Sequence, residues 1–183
     1  MKRWLGSALR NLFLWSRSAG CILLYWPTSA LAELFPAMRY LKWLLLSCAA
    51  TRSIEMDDLP LAKSRAQELL SLSAAFPQDW NHDNALHKAH SVLGRIALRE
   101  GKPDEAALQL IQSAQIDGSP QLDTFGPNMV LARECLAAGR QDAVLEYFNL
   151  CRSFWKLGRG KLDRWQAIVR AGGTPEFGAN IYY

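Results

Sequence analysis

One run of small and large side chains occurs twice in this chain, in the same order and at the same internal spacings. The first copy is Leu93-Gly94, Ala97, Gly101, Ala106, Leu110 and Ser113; the second is Leu131-Ala132, Cys135, Gly139, Val144, Phe148 and Cys151. Each copy puts small or apolar residues on one helix, Gly at a turn, and apolar residues four apart on the next helix. A unit of this size is a two-helix hairpin that buries its apolar face only by stacking on a neighbour. The pattern predicts an all-α fold of antiparallel helical hairpins, about six helices in one compact domain.

The flanking residues supply the remaining helices. Asp58-Leu59-Pro60 opens one, with Asp as N-cap and Pro in the first turn, where its missing N–H costs nothing. Ala62, Ala66, Leu69, Leu70 and Ser73 mark its inner face to about Ala75. The next helix runs from His82 or Asp83 to Glu100 and stops at Gly101. Pro103-Asp104-Glu105 opens a third, with its acids at the positive end of the dipole. Residues 117–127 read as a loop from their Gly, Pro, Ser and Asp content. A fourth helix from about Asn128 ends at Gly139, a fifth carries Val144 to Trp155, and a sixth carries Leu162, Trp165, Ile168 and Val169. The first and last of these are expected to cap the stack. Nothing alternates with period two for long enough to be a strand.

The motif L-G-x2-A-x3-G-x4-A-x3-L-x2-S, from Leu93 to Ser113, resembles the tetratricopeptide repeat. It departs from that family at His90, where an aromatic residue is usual, and at Val144 and Cys151, where Ala is usual. The second Gly follows the first by 38 residues instead of the family's period of about 34. The stretch Met56–Tyr183, notably SPQLDTFGPNM and PEFGANIYY, is also similar to a group of uncharacterised bacterial tetratricopeptide-like proteins, a likeness that carries no activity. The resemblance implies a non-enzymatic protein-interaction module. In such hairpins the first helix lines a concave groove. The offsets of the repeat put Lys88, Arg95 and Arg99 there from one hairpin and Arg133 from the next. Four cations on one face would attract an acidic peptide or a C-terminal carboxylate.

Charge divides the chain. Residues 1–52 carry seven cations (Lys2, Arg3, Arg10, Arg17, Arg39, Lys42 and Arg52) against Glu33 alone, whereas the rest is slightly acidic. A nucleic-acid footprint needs a basic stripe on the folded part, so no nucleic-acid partner is expected. Domain bounds of 1–55 and 56–183 follow from this change in composition. The first segment holds four of the seven tryptophans (Trp4, Trp15, Trp26 and Trp43) and has no window apolar enough to span a bilayer. Several readings of it stay open. It is a signal-like segment ending at Ala30-Leu31-Ala32, a lipobox-like site at Leu45-Leu46-Ser47-Cys48, or an interfacial helix giving membrane-surface contact through residues 1–50. Otherwise it is poorly ordered, or lies upstream of a start at Met38 or Met56. The helical domain itself is expected in the cytoplasm, with export as the alternative.

Chemistry-bearing groups are few. Cys21, Cys48, Cys135 and Cys151 show no CxxC spacing, and the last two fall on core positions, as reduced thiols. A disulfide between Cys135 and Cys151 is the alternative. His82, His87 and His90 are the only histidines. His87 and His90 share a helical face with Asp83 one turn earlier, so a metal site could be drawn from these three, or with Asp79 as the carboxylate. An enzyme or metal-dependent protein using the His82–His90 region is therefore the rival to the interaction module. There is no G-x-S-x-G, and Gly158–Gly160 follows no strand. No catalytic residue and no cofactor is assigned.

Overall fold

The repeated turn becomes a backbone structure in the computed structural model, which describes residues 36–182. The cleavage-like site at Ala30–Ala32, Cys21 and Trp4, Trp15 and Trp26 lie outside the described residues. The helical body is the unit Tyr40–Tyr183. Among the described residues there are eight α-helices and no strand: α1 Pro36–Glu55, α2 Leu59–Ser73, α3 His82–Arg99, α4 Pro103–Gln112, α5 Pro120–Phe125, α6 Val130–Ala137, α7 Gln141–Phe154 and α8 Arg159–Arg170. Short 3-10 turns cover Lys156–Gly158 and Gly178–Ile181.

Three hairpins share one corner. α1 and α2 turn at Asp57, α3 and α4 at Gly101, and α6 and α7 at Gly139, with φ of 61°, 72° and 74°. At each corner the next N–H reaches five residues back: Asp58 to Ser53 O (3.0 Å), Lys102 to Ala97 O (2.8 Å) and Arg140 to Cys135 O (2.9 Å). The turn residue's own N–H bonds the carbonyl three back, at Ile54, Leu98 and Leu136. This pair of bonds satisfies the last free carbonyls of a helix and requires a left-handed residue. Counting from each corner, the positions seven and four before and five, nine and twelve after are buried in every hairpin. They are Ala50, Ser53, Ala62, Ala66 and Leu69; Gly94, Ala97, Ala106, Leu110 and Ser113; and Ala132, Cys135, Val144, Phe148 and Cys151.

Helix α1 lies upstream of residue 56, yet its inner face packs with the helices that follow. α1 is the first arm of a third hairpin whose corner is Asp instead of Gly. Its inner face, Trp43, Leu46, Ala50 and Ile54, is at most 6 % exposed and packs against α2 and α3. The Trp43 indole N–H donates to Ser73 Oγ at 2.9 Å, and its ring lies 4.9 Å from that of Phe76. Small residues set how closely the hairpins approach. A Cβ on Gly94 would lie 2.5 Å from Leu131 Cδ2, so the bare backbone of α3 here is what lets the Leu131 side chain of α6 seat against it.

The far end is closed by aromatic rings. Trp155 lies flat against Gly126 and Gly158, where any Cβ would fall within 2.6 Å of its indole. The first Gly of the Gly158–Gly160 pair therefore makes room for a ring. Trp165 of α8 follows at 5.7 Å from Trp155, and Phe177 packs edge-on to Trp165 at 5.0 Å. Residues 117–127 are not all loop, a correction. Ser119 Oγ accepts the Leu122 N–H, and with Pro120 in the first turn it starts α5.

The shared corner makes a prediction. Asp57 is the only non-Gly residue at positive φ among the described residues, a conformation that costs an L-residue roughly 1–2 kcal/mol. Asp57→Gly, measured in high salt where its exposed ion pair with Arg99 is screened, should raise unfolding free energy by about 1 kcal/mol. A loss of stability under those conditions would show that the first corner is not equivalent to the other two.

Candidate functional site

The four cations read from the sequence do not form one open patch. Arg95 Nε sits between both carboxylate oxygens of Glu134 on α6, at 3.1 and 3.2 Å. Arg99 Nη1 bonds Asp57 Oδ1 at 2.5 Å. Each of these acids comes from another hairpin. Lys88 and Arg133 make no ion pair or hydrogen bond among the described residues. Arg133 is exposed, while Lys88 is half-buried on the side of α3 facing α1. Burial holds the Lys88 ammonium below its ordinary pKa, partly opposed by Cys48 and Glu55. The first helices of the three hairpins are thus linked in a row, α1 to α3 at Lys88 and α3 to α6 at Arg95.

His87, His90 and Asp83 lie near one another in sequence but serve different partners. His87 is buried, with Nδ1 2.9 Å from the Ser113 carbonyl oxygen and Nε2 accepting the Asn128 N–H at 3.1 Å. That pair of contacts fixes a neutral imidazole protonated on Nδ1 and uses both nitrogens. His90 Nδ1 faces Gln109 Oε1 at 2.9 Å. Asp83 Oδ2 accepts the Gly118 N–H at 2.8 Å, and the neighbouring Asn84 Oδ1 accepts from Ser119 Oγ at 2.7 Å. Among the described residues no group of three or more His, Cys, Asp and Glu could hold a metal ion. The first two turns of α3 instead staple the segment that follows α4. The tail fastens the same segment from the other side. Asn180 donates to the carbonyls of Phe125 and Pro127 at 3.0 and 3.1 Å, and its own carbonyl accepts the Met129 N–H at 2.7 Å. Asn84 and Asn180 were not singled out in the sequence, because a staple across dozens of residues leaves no local spacing.

A cleft of about 620 Å³ opens at the N-terminal end of α3, between the 76–81 and 113–120 connections. Asp79, Asp83 and Asp117 line it with no Lys or Arg, and Trp80 forms an exposed rim. Two of the acids already have work in the fold. Asp79 accepts from Tyr40 Oη (3.0 Å) and from the Asn81 N–H, and Asp83 holds Gly118. The nearby Ser119 hydroxyl is spent on Asn84 and the α5 N-cap. Cys135 and Cys151 are free and buried. Burial pushes the Cys135 thiol up to about 12 and the Cys151 thiol up as well, the reverse of an activated nucleophile.

Neither family models, nor curated proteins, nor solved structures yield a match to this chain.

Burial lowers the His87 pKa to about 4, with smaller contributions of the same sign from Lys88 and His90; its bond to the Ser113 carbonyl opposes this. Between that value and the ordinary one near 6.5, the unfolded chain takes up a proton that the folded chain does not. The stabilisation is complete above about pH 6.5 and is lost as pH falls to about 4, a loss of order 3 kcal/mol from this residue. In an NMR titration the His87 ring signals should stay put from about pH 7 to about pH 5. A midpoint near 6.5 would contradict the buried neutral staple.

Proposed function

We propose that the chain is a non-enzymatic protein-interaction module whose hairpins are of the tetratricopeptide-like type. On this reading an acidic peptide docks along the first helices of the hairpins. The observation that carries it is the row formed by α1, α3 and α6, with Lys88 and Arg133 making no ion pair among the described residues. Unpaired cations on neighbouring helices provide charge-assisted partners for carboxylates. A stacked-hairpin scaffold supplies the rigid backing that peptide recognition requires.

Lys88 and Arg133 therefore take the role, while Arg95 and Arg99 are held by Glu134 and Asp57 and shape the face. Replacing Arg95 would leave Glu134 unpaired and perturb the α3–α6 contact, so it makes a poor probe. Arg133 is exposed and can be reversed without touching the core.

The test uses the full chain and a fluorescein-labelled peptide rich in Asp and Glu with a free C-terminal carboxylate. Anisotropy should show saturable binding that weakens with salt. Arg133→Glu should reduce affinity by about tenfold, or 1.4 kcal/mol, with an unchanged thermal midpoint. Equal affinity in the variant, or no saturable binding to the wild type, would refute the acidic-peptide reading.

A further inference from the structure

A second, smaller cleft of about 390 Å³ lies between α8 and the tail that follows it. Lys161, Arg164 and Ile168 stand three and four residues apart on one flank of α8 and form one wall. Glu176, Gly178 and Ala179 of the tail form the other. Between the walls lie the buried rings of Trp165 and Phe177, packed edge-on at 5.0 Å. Ile168 is 40 % exposed, so a large apolar side chain stays open to solvent beside the two cations.

Neither cation of this cleft makes an ion pair among the described residues. Lys161 Nζ lies 5.5 Å from the centroid of the Trp155 ring, and Arg164 Nε reaches the Gly160 carbonyl of its own helix at 3.4 Å. Asp163, the acid on α8 itself, is taken by Arg152 at 2.7 Å. Glu176 lines the same cleft without pairing with either cation, so two positive charges stand against one negative. That balance suits a singly charged anion. A phosphate group, with a charge of about −1.5 to −2 at neutral pH, would meet Glu176 with charge to spare. The volume lies at the small end of ligand pockets, which run from about 300 to 1,000 Å³, and excludes a bulky polyanion. A planar guanidinium beside an ammonium matches a carboxylate, and the rings below match an apolar body.

We propose that the cleft between α8 and the tail binds a carboxylate borne on a small apolar body. Lys161 and Arg164 hold the carboxylate, and the body lies against Ile168, Trp165 and Phe177. Glu176 on the far wall limits the site to one negative charge. A free organic acid and the C-terminal residue of a peptide share this chemistry. The cleft shares no residue with Lys88 and Arg133 and does not depend on the reading built on them.

Isothermal titration of the full chain with 4-phenylbutyrate and with acetyl-Ala-Leu, each compared with its neutral amide, tests this. At least one acid should bind saturably and at least about tenfold more tightly than its amide; the tighter of the two identifies the source. Lys161→Gln/Arg164→Gln should weaken binding by at least about tenfold. Both side chains are exposed, so circular dichroism should be unchanged. Glu176→Gln removes the opposing charge and should strengthen binding about twofold or more. Because it leaves both cations in place, it supplies the readout should the double variant disturb folding. Four results would overturn the proposal. They are no saturable binding of either acid, amides that bind as well as the acids, wild-type affinity in the folded double variant, and weaker binding in Glu176→Gln.

Discussion

A two-helix hairpin with apolar residues on both sides can cover only one of them by its own closure. The other side must meet a neighbour, and how closely it does so depends on the side chains at the crossing. Here those residues are small: Ala62, Ala66, Ala85, Ala89, Gly94, Ala97, Ala106 and Ala132 are all buried. They let the backbones approach until Leu131 lies against Gly94. Large side chains then fill what remains, Trp43 at one end and the rings of Phe148, Trp155, Trp165 and Phe177 at the other. Three left-handed corners hold each pair of helices antiparallel, so that the small faces line up in sequence.

Polar groups do different work in this frame. His87, Asp83, Asn84 and Asn180 satisfy backbone and side-chain groups of the connection between the second and third hairpins. A buried polar group left without a partner costs far more than one that is bonded, so these contacts fix one path for the chain through a region too irregular to be held by helices. The same economy explains the arginines. Arg95 and Arg99 link one hairpin to the next through Glu134 and Asp57, whereas Lys88 and Arg133 make no ion pair among the described residues.

Much of this was legible in the sequence. Gly101 and Gly139 announce their corners because Gly is the default residue at positive φ. The apolar positions around them follow from helical geometry alone. The first hairpin was hidden because its corner is Asp57, next to an Asp58 that reads as an N-cap, and because α1 lacks the polar outer face that marks a surface helix. Composition therefore grouped α1 with the basic segment before it. The partners of the cations and of His87 were illegible for another reason. Glu134 is 39 residues from Arg95, and Asn128 is 41 from His87, separations that only the stacking of hairpins closes. The cleft beside α3 likewise arises from two distant connections.

The central claim is that α1 belongs to the same cooperative stack as the two hairpins read from the sequence. Native-state hydrogen exchange on the full chain tests it most directly. The amides of Leu44 to Ile54 should open with a free energy within about 1 kcal/mol of those in the middle of α3, because Trp43 and Ile54 share their core with α2 and α3. Exchange of the α1 amides at free energies several kcal/mol lower, while α3 and α7 stay protected, would show that the stack begins at α2 and that the third corner carries no load.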